Sequence, residues 1–189
     1  DQMRTIFIGS SQYFNSYYLP KALKTYQKLY PKTHFKLIER NAQLLNKELY
    51  EGNADIVIHV GGEAKGLTRY EIQPDQLVLA IPKNLISGKS IQCLRNYLEH
   101  HDDQKEAINL LTQLPFISLS SSNNLSIVVH RLCQQIGFLP HTVLENYQLE
   151  TAFHMANSGI GATFVTKQIQ KFAMVDNLYF LNGRLQEIT

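Results

Sequence analysis

Thr5-Ile6-Phe7-Ile8, Phe35-Lys36-Leu37-Ile38 and Asp55-Ile56-Val57-Ile58-His59-Val60 are short β-rich apolar runs, separated by a helical stretch reaching Tyr30 and another from Leu44 to Tyr50. This βαβαβ order predicts a mainly parallel sheet covered by helices, because parallel neighbours need a long crossover connection. A second alternating unit begins at Pro115: strand Phe116 to Leu119, helix Leu125 to Ile136, strand Thr142 to Leu144, a helix carrying Leu149, Ala152, Phe153 and Ala156, and strand Gly161 to Val165. Leu125, Val128, Val129, Leu132 and Ile136 recur at helical spacing, and Gly137 followed by Pro140 is a stop signal. Between the units, Leu67 to Ile72 and Gln76 to Ile81 read as extended runs that cross between lobes. Lys83 to Gln113 is polar, with a helix over Ile91 to Leu98 and room for an extra one. The expected fold class is α/β, two lobes joined by crossing strands around a cleft, with 1–76 and 177–189 in lobe I and 77–176 in lobe II.

Composition narrows the function. With 189 residues and 44% hydrophobic content the chain can bury a core. The 18 Lys and Arg against 16 Asp and Glu leave a net charge of +2 without a basic block, which excludes a nucleic-acid-binding surface of the usual kind. Cys93 and Cys133 lack metal or redox spacing and read as free thiols of a reducing, cytoplasmic compartment. No apolar run approaches the roughly 20 residues of a membrane span, so no membrane partner is expected. The start Asp1-Gln2-Met3-Arg4 is no signal peptide and reads as the edge of a fragment.

In an open parallel sheet, ligands bind beyond the carboxyl ends of the strands, where helices start and their unpaired N–H groups point outward. Ser10-Ser11-Gln12 occupies such a junction, with Gly9 expected to let the chain turn and approach a bound group. The matching junction is Ser120-Ser121-Ser122-Asn123-Asn124, more hydrogen-bonding side chains than one cap requires. Glu39-Arg40-Asn41, Gly61-Gly62 and Glu145-Asn146 complete the set. Helix capping, a serine loop and a plain glycine turn are the competing readings at these places.

Enzymatic readings fail for want of partners. There is no G-x-S-x-G elbow to position a serine. Gly159-Ile160-Gly161 follows a helix instead of a strand, and Phe164 stands where a dinucleotide fingerprint needs a small residue. His100-His101-Asp102-Asp103 reads as a solvated loop rather than a metal site, and His59 more readily as a structural histidine than a ligand contact. No catalytic residue, metal or cofactor is expected.

Ile8-Gly9-Ser10-Ser11, Tyr18-Leu19-Pro20-Lys21-Ala22-Leu23, Leu29-Tyr30-Pro31 and Leu49-Tyr50-Glu51-Gly52-Asn53-Ala54-Asp55-Ile56 together resemble the effector-binding domain of LysR-type transcriptional regulators. Asp75 to Lys83, Gly137-Phe138-Leu139-Pro140, and Glu150-Thr151-Ala152 through Gly161 follow in the family's order. The resemblance implies a periplasmic-binding-protein-like type 2 fold, two Rossmann-like lobes joined by crossing strands, with a small effector between the lobes. Family contacts fall on Ser10, Ser11, Asn41, Val60, Gly61, Ser120 and Ser121; strand-end geometry adds Asn123 and Asn146. It also implies a homodimer or homotetramer, with Tyr17 to Leu29 and Phe35 to Ile38 of one copy against Leu125 to Ile136 of another. Operator DNA would be reached only through a winged helix-turn-helix that this chain lacks.

Two departures from the pattern stand out: Lys83 to Gln113 is longer than the family norm, and the chain stops at Thr189, soon after Leu178 to Leu181. The expected effector is a carboxylate or other small anion, since helix N-termini favour negative charge. A solute-binding protein of a transporter, with the same fold, is the alternative.

Overall fold

Thr5 to Ile8 becomes the middle of a parallel sheet. A computed structural model describes residues 4–60, 65–72, 75–100, 102–172, 175–182 and 187–188. The chain divides into two units, Asp1–Glu71 and Ile72–Thr189.

The first unit runs β1 (Arg4–Ser10), α1 (Gln12–Tyr17), α2 (Leu19–Leu29), β2 (Thr33–Glu39), α3 (Ala42–Tyr50) and β3 (Ile56–Ile58). Its strand order is β2-β1-β3, with both pairings parallel. The period of two along β1 sends Ile6 and Ile8 to one face, where Leu19, Leu23, Tyr26, Phe35 and Ile58 pack on them. The single helix expected up to Tyr30 is two, because Pro20 has no N–H for the carbonyl four residues back; the ladder breaks at Tyr18. Asp55 shapes the approach to β3, its carboxylate accepting the Phe7 N–H at 2.8 Å while its own N–H donates to the Phe7 carbonyl at 2.9 Å.

Gly9 has a different task from the expected one. It lies within β1, and a Cβ there would sit 2.8 Å from Leu45 Cδ2 and 3.0 Å from Val57 Cγ1. Its bareness therefore lets α3 and β3 close on the strand, with Leu45 wholly buried against it.

The second unit contains β4 (Asp75–Pro82), a short 3₁₀ turn at Lys83–Leu85, α4 (Gly88–His100), α5 (Gln104–Gln113), β5 (Pro115–Leu119), α6 (Asn124–Ile136), β6 (His141–Asn146), α7 (Leu149–Asn157), β7 (Thr163–Thr166), α8 (Lys167–Phe172), β8 (Leu178–Leu181) and β9 (Glu187–Ile188). β5 and β6 are parallel, whereas β7 and β8 flank β4 antiparallel. A parallel bridge from Phe116 to Ala162 joins these two ladders, with hydrogen bonds of 2.8 Å from Ile117 N–H to the Ala162 carbonyl and from Ala162 N–H to the Pro115 carbonyl. β4 is the centre of the core: Leu77 to Ile81 are each no more than 1% exposed.

Several expectations change here. Leu67 to Ile72 forms no strand; Tyr70 and Ile72 are exposed, and no ladder partner is present among the described residues. Lys83 to Gln113 does hold the extra helix it had room for, and the one expected over Ile91 to Leu98 is longer than expected; the chain turns between them on Asp103 in the left-handed region at φ 51°. Their apolar stripes, Ile91, Leu94, Tyr97 and Leu98 on α4 and Ala107 and Leu111 on α5, are buried. Residues 178–181, grouped from sequence with lobe I, pair through β8 with β4 and belong to the second unit.

The glycines of the rejected dinucleotide fragment have structural roles. Gly159 ends α7 at φ +91°, and a Cβ on Gly161 would lie 2.8 Å from the Pro115 carbonyl oxygen.

Candidate functional site

In the first unit the strand register brings Ser10 opposite Glu39 on one side and Ile58 on the other, so the three carboxyl ends lie together. Arg40 N–H extends the ladder by donating to the Ser10 carbonyl at 3.3 Å. Ser10 is fully buried, and its hydroxyl donates inward to Asn15 Oδ1. Ser11 is the N-cap of α1 by position, yet its side chain makes no capping hydrogen bond and is half-buried. Capping therefore accounts for neither hydroxyl. Asn41 is a working cap, its Oδ1 accepting Leu44 N–H at 3.0 Å.

Val60 is half-buried just beyond β3; Gly61, its expected companion, lies outside the described residues with Gly62. His59 is turned onto protein: Nε2 stands 2.9 Å from Asn46 Oδ1 and Nδ1 3.5 Å from the Val60 carbonyl. That is the structural histidine of the sequence reading.

In the second unit, Ser120 N–H donates to the Asn146 carbonyl at 2.8 Å, which seats the serine-rich turn on the end of β6. Ser120 is buried, Ser121 is exposed, and the Ser122 hydroxyl points to Ser120 Oγ at 3.5 Å. Asn123 is the cap of α6, accepting Leu125 N–H at 2.9 Å while its Nδ2 donates to the Tyr147 carbonyl at 3.0 Å. Asn146 Oδ1 accepts Gln148 N–H at 2.9 Å, but its Nδ2 is shielded from solvent with no hydrogen-bond partner among the described residues. A buried amide donor left unpaired costs about 1–3 kcal/mol, so an acceptor brought to it is stabilising.

Sequence reasoning missed Asn15, which links Ser10 to Glu39 Oε2 through an Nδ2 bond of 3.1 Å. An asparagine on a six-residue helix carries no local signal of that role. It also could not separate Ser10 from Ser11, because adjacent residues of one type differ only in which way the backbone turns them.

For chemistry beyond binding, the two thiols are poor nucleophiles. Burial pushes Cys133 up to about 12, and burial followed by the nearby Glu106 and Asp103 carboxylates raises Cys93. Among the described residues no His, Cys, Asp and Glu cluster suits a metal ion, and no helix is long and apolar enough to cross a membrane. His100 is exposed beside Glu99, 3.8 Å away; His101 is outside the described residues.

The two α/β units, the second built on a strand with antiparallel neighbours, have the periplasmic-binding-protein-like type 2 fold of regulator effector domains, as the likeness to solved structures shows. The cofactor-binding domain of the Cbl transcriptional regulator superposes with a TM-score of 0.78 over 100% of this chain and 79% of its own, at 18% identity. The BenM effector-binding domain with its effector benzoate gives 0.74 over 100% and 82%, at 19% identity. Residues 1–174 match the LysR substrate binding domain, and the chain belongs to that family. Among curated relatives, the HTH-type transcriptional regulator AlsR of Bacillus subtilis (strain 168) is 28% identical over 185 residues, covering 95% of this chain and 55% of its own length. The chain thus spans about half the length of the curated relatives it matches. These relatives are regulators, which supports the regulatory reading over the transporter one.

Proposed function

We propose that this chain is the effector-sensing part of a LysR-type transcriptional regulator, binding a small carboxylate or other small anion and passing the change to a DNA-binding region of the full-length protein. The family match over residues 1–174 carries the reading. Polar strand ends in both units support it, as do the outward N–H groups that open α3, α6 and α7 there. Benzoate, named for the BenM relative, is an acid of the class such ends suit.

Contacts are assigned to the Ser11 hydroxyl, the Val60-Gly61 backbone, Ser121 and the Asn146 amide. Ser10, Asn41, Ser120 and Asn123 hold those loops in place through bonds already made inside the protein. The protein acts without catalysis, in keeping with its two thiols kept protonated. Free cysteines and regulator relatives support a cytoplasmic setting. Exposed Leu29 and Leu37 on one unit and Ile127 on the other support homodimer or homotetramer assembly through α2, β2 and α6. Operator DNA is contacted through a winged helix-turn-helix in the part of such regulators that this chain does not span.

The test is a thermal-shift screen of small metabolic acids on the chain, repeated with Ser11→Ala and Ser121→Ala. A true effector raises the melting temperature of the parent by binding the folded state, about 2.7 kcal/mol at a hundredfold excess over Kd, and both substitutions shrink the shift. A shift unchanged in both variants refutes the site assignment.

A further inference from the structure

Asn15 is fastened to two strand ends at once. Its Oδ1 accepts the Ser10 hydroxyl at the end of β1, and its Nδ2 donates to Glu39 Oε2 at the end of β2 at 3.1 Å. Ser10 and Glu39 are the last register partners of those strands, and Arg40 N–H donates across the same gap. A side-chain brace therefore lies where the ladder stops, and the loops leaving it carry Ser11 on one side and Asn41 on the other. An amide has a fixed polarity, accepting through oxygen and donating through nitrogen. Here the hydroxyl on one side and the carboxylate on the other agree on a single orientation. Ser10 is fully buried, so its hydroxyl has no water to fall back on if Asn15 is lost.

We propose that Asn15 is a positioning residue of the effector site, setting the spacing between the Ser11 turn and the Asn41 loop by bracing the ends of β1 and β2. The inference rests on the effector reading above and adds a residue that touches no effector itself. The brace acts through Ser10 and Glu39. It also gives the fully buried Ser10 hydroxyl its partner.

The experiment uses the isotope-labelled chain with N15D, E39Q and the pair combined, followed by amide NMR and hydrogen exchange. N15D removes the donor and sets two carboxylates face to face; adding E39Q supplies a donor from the opposite side and restores a bond of reversed polarity. E39Q alone keeps an acceptor for Asn15. The amide signals of Ser11, Arg40 and Asn41 are expected to move together in N15D, to stay near their parent positions in E39Q, and to return in the double variant. Movement of one loop only, or a double variant as displaced as N15D, overturns the brace.

With benzoate as the probe, N15D is expected to raise Kd about tenfold, the equivalent of one lost coupling of ordinary size, and the double variant to recover most of it. An unchanged Kd with displaced signals overturns the positioning role. Absence of benzoate binding by the parent chain counts against the effector reading for this acid, and the free-chain signals then decide the brace alone.

Discussion

Gly9 and Gly161 both leave out a Cβ to let something close approach, but what approaches differs. At Gly9 the nearest atom is Leu45 Cδ2 at 2.8 Å, the tip of a side chain; at Gly161 it is the Pro115 carbonyl oxygen at 2.8 Å, fixed by accepting the Ala162 N–H in the Phe116 to Ala162 bridge. A leucine tip can rotate, although wholly buried Leu45 has little room, so Gly9→Ala is expected to cost about 1–2 kcal/mol, within the usual range for overpacking. Gly161→Ala must push backbone apart, and about 3 kcal/mol is expected. Urea denaturation of the two variants checks the ranking; equal losses would show that the bridge gives way as easily as the side chain. At this scale the sequence was a partial guide. Asn41 and Asn123 are recognisable as caps because capping is local chemistry, whereas the opposite fates of Ser10 and Ser11 depend on how the backbone turns each, and the reach of Asn15 depends on Glu39 of β2, well away in the chain.

Helix α6 shows what an element adds to a residue. Its apolar periodicity, its Asn123 start and its Gly137 end at φ +93° were all legible, since cap, stripe and left-handed stop are written in consecutive residues. That stripe buries Cys133, and the resulting displacement from 9.0 to about 12 links the helix to alkaline stability. A thiol whose folded pKa lies above its unfolded one favours folding while protonated. Its contribution is complete below about pH 9 and is lost as pH climbs from there toward about 12. Thermal midpoints measured at about pH 8 and about pH 10.5 should therefore fall more steeply in the parent than in Cys133→Ala. Parallel slopes would mean that the buried thiol does not govern that limb. Other elements were less legible. The break at Tyr18 follows from Pro20 but competes with continuous apolar spacing, and Leu67 to Ile72 shows that a strand-like pattern with no pairing neighbour among the described residues forms no strand.

At the scale of the whole molecule, the alternation of strands and helices revealed the class of fold, and the antiparallel placement of β7 and β8 around β4 was what it left open. Strand direction depends on where the chain returns to the sheet, which no local pattern records. Because β4 is paired on both sides and buried along Leu77 to Ile81, its amides are expected to exchange slowest, ahead of edge strand β2, whose His34, Lys36 and Leu37 are exposed. Hydrogen exchange followed by mass spectrometry resolves the two segments, and β2 outlasting β4 would contradict that order. The Phe116 to Ala162 bridge bears on a different property. It ties the β5-β6 pair to the β7-β4-β8 ladder with two backbone bonds, helped by Thr163 Oγ1 donating to the Ile117 carbonyl at 2.9 Å. Under a pulling force along β6, these few backbone rungs are expected to part before the longer β7-β4-β8 ladder does, leaving the packing of α7 across β5 and β4 as the remaining tie, and the serine-rich turn seated on β6 would leave with the freed half.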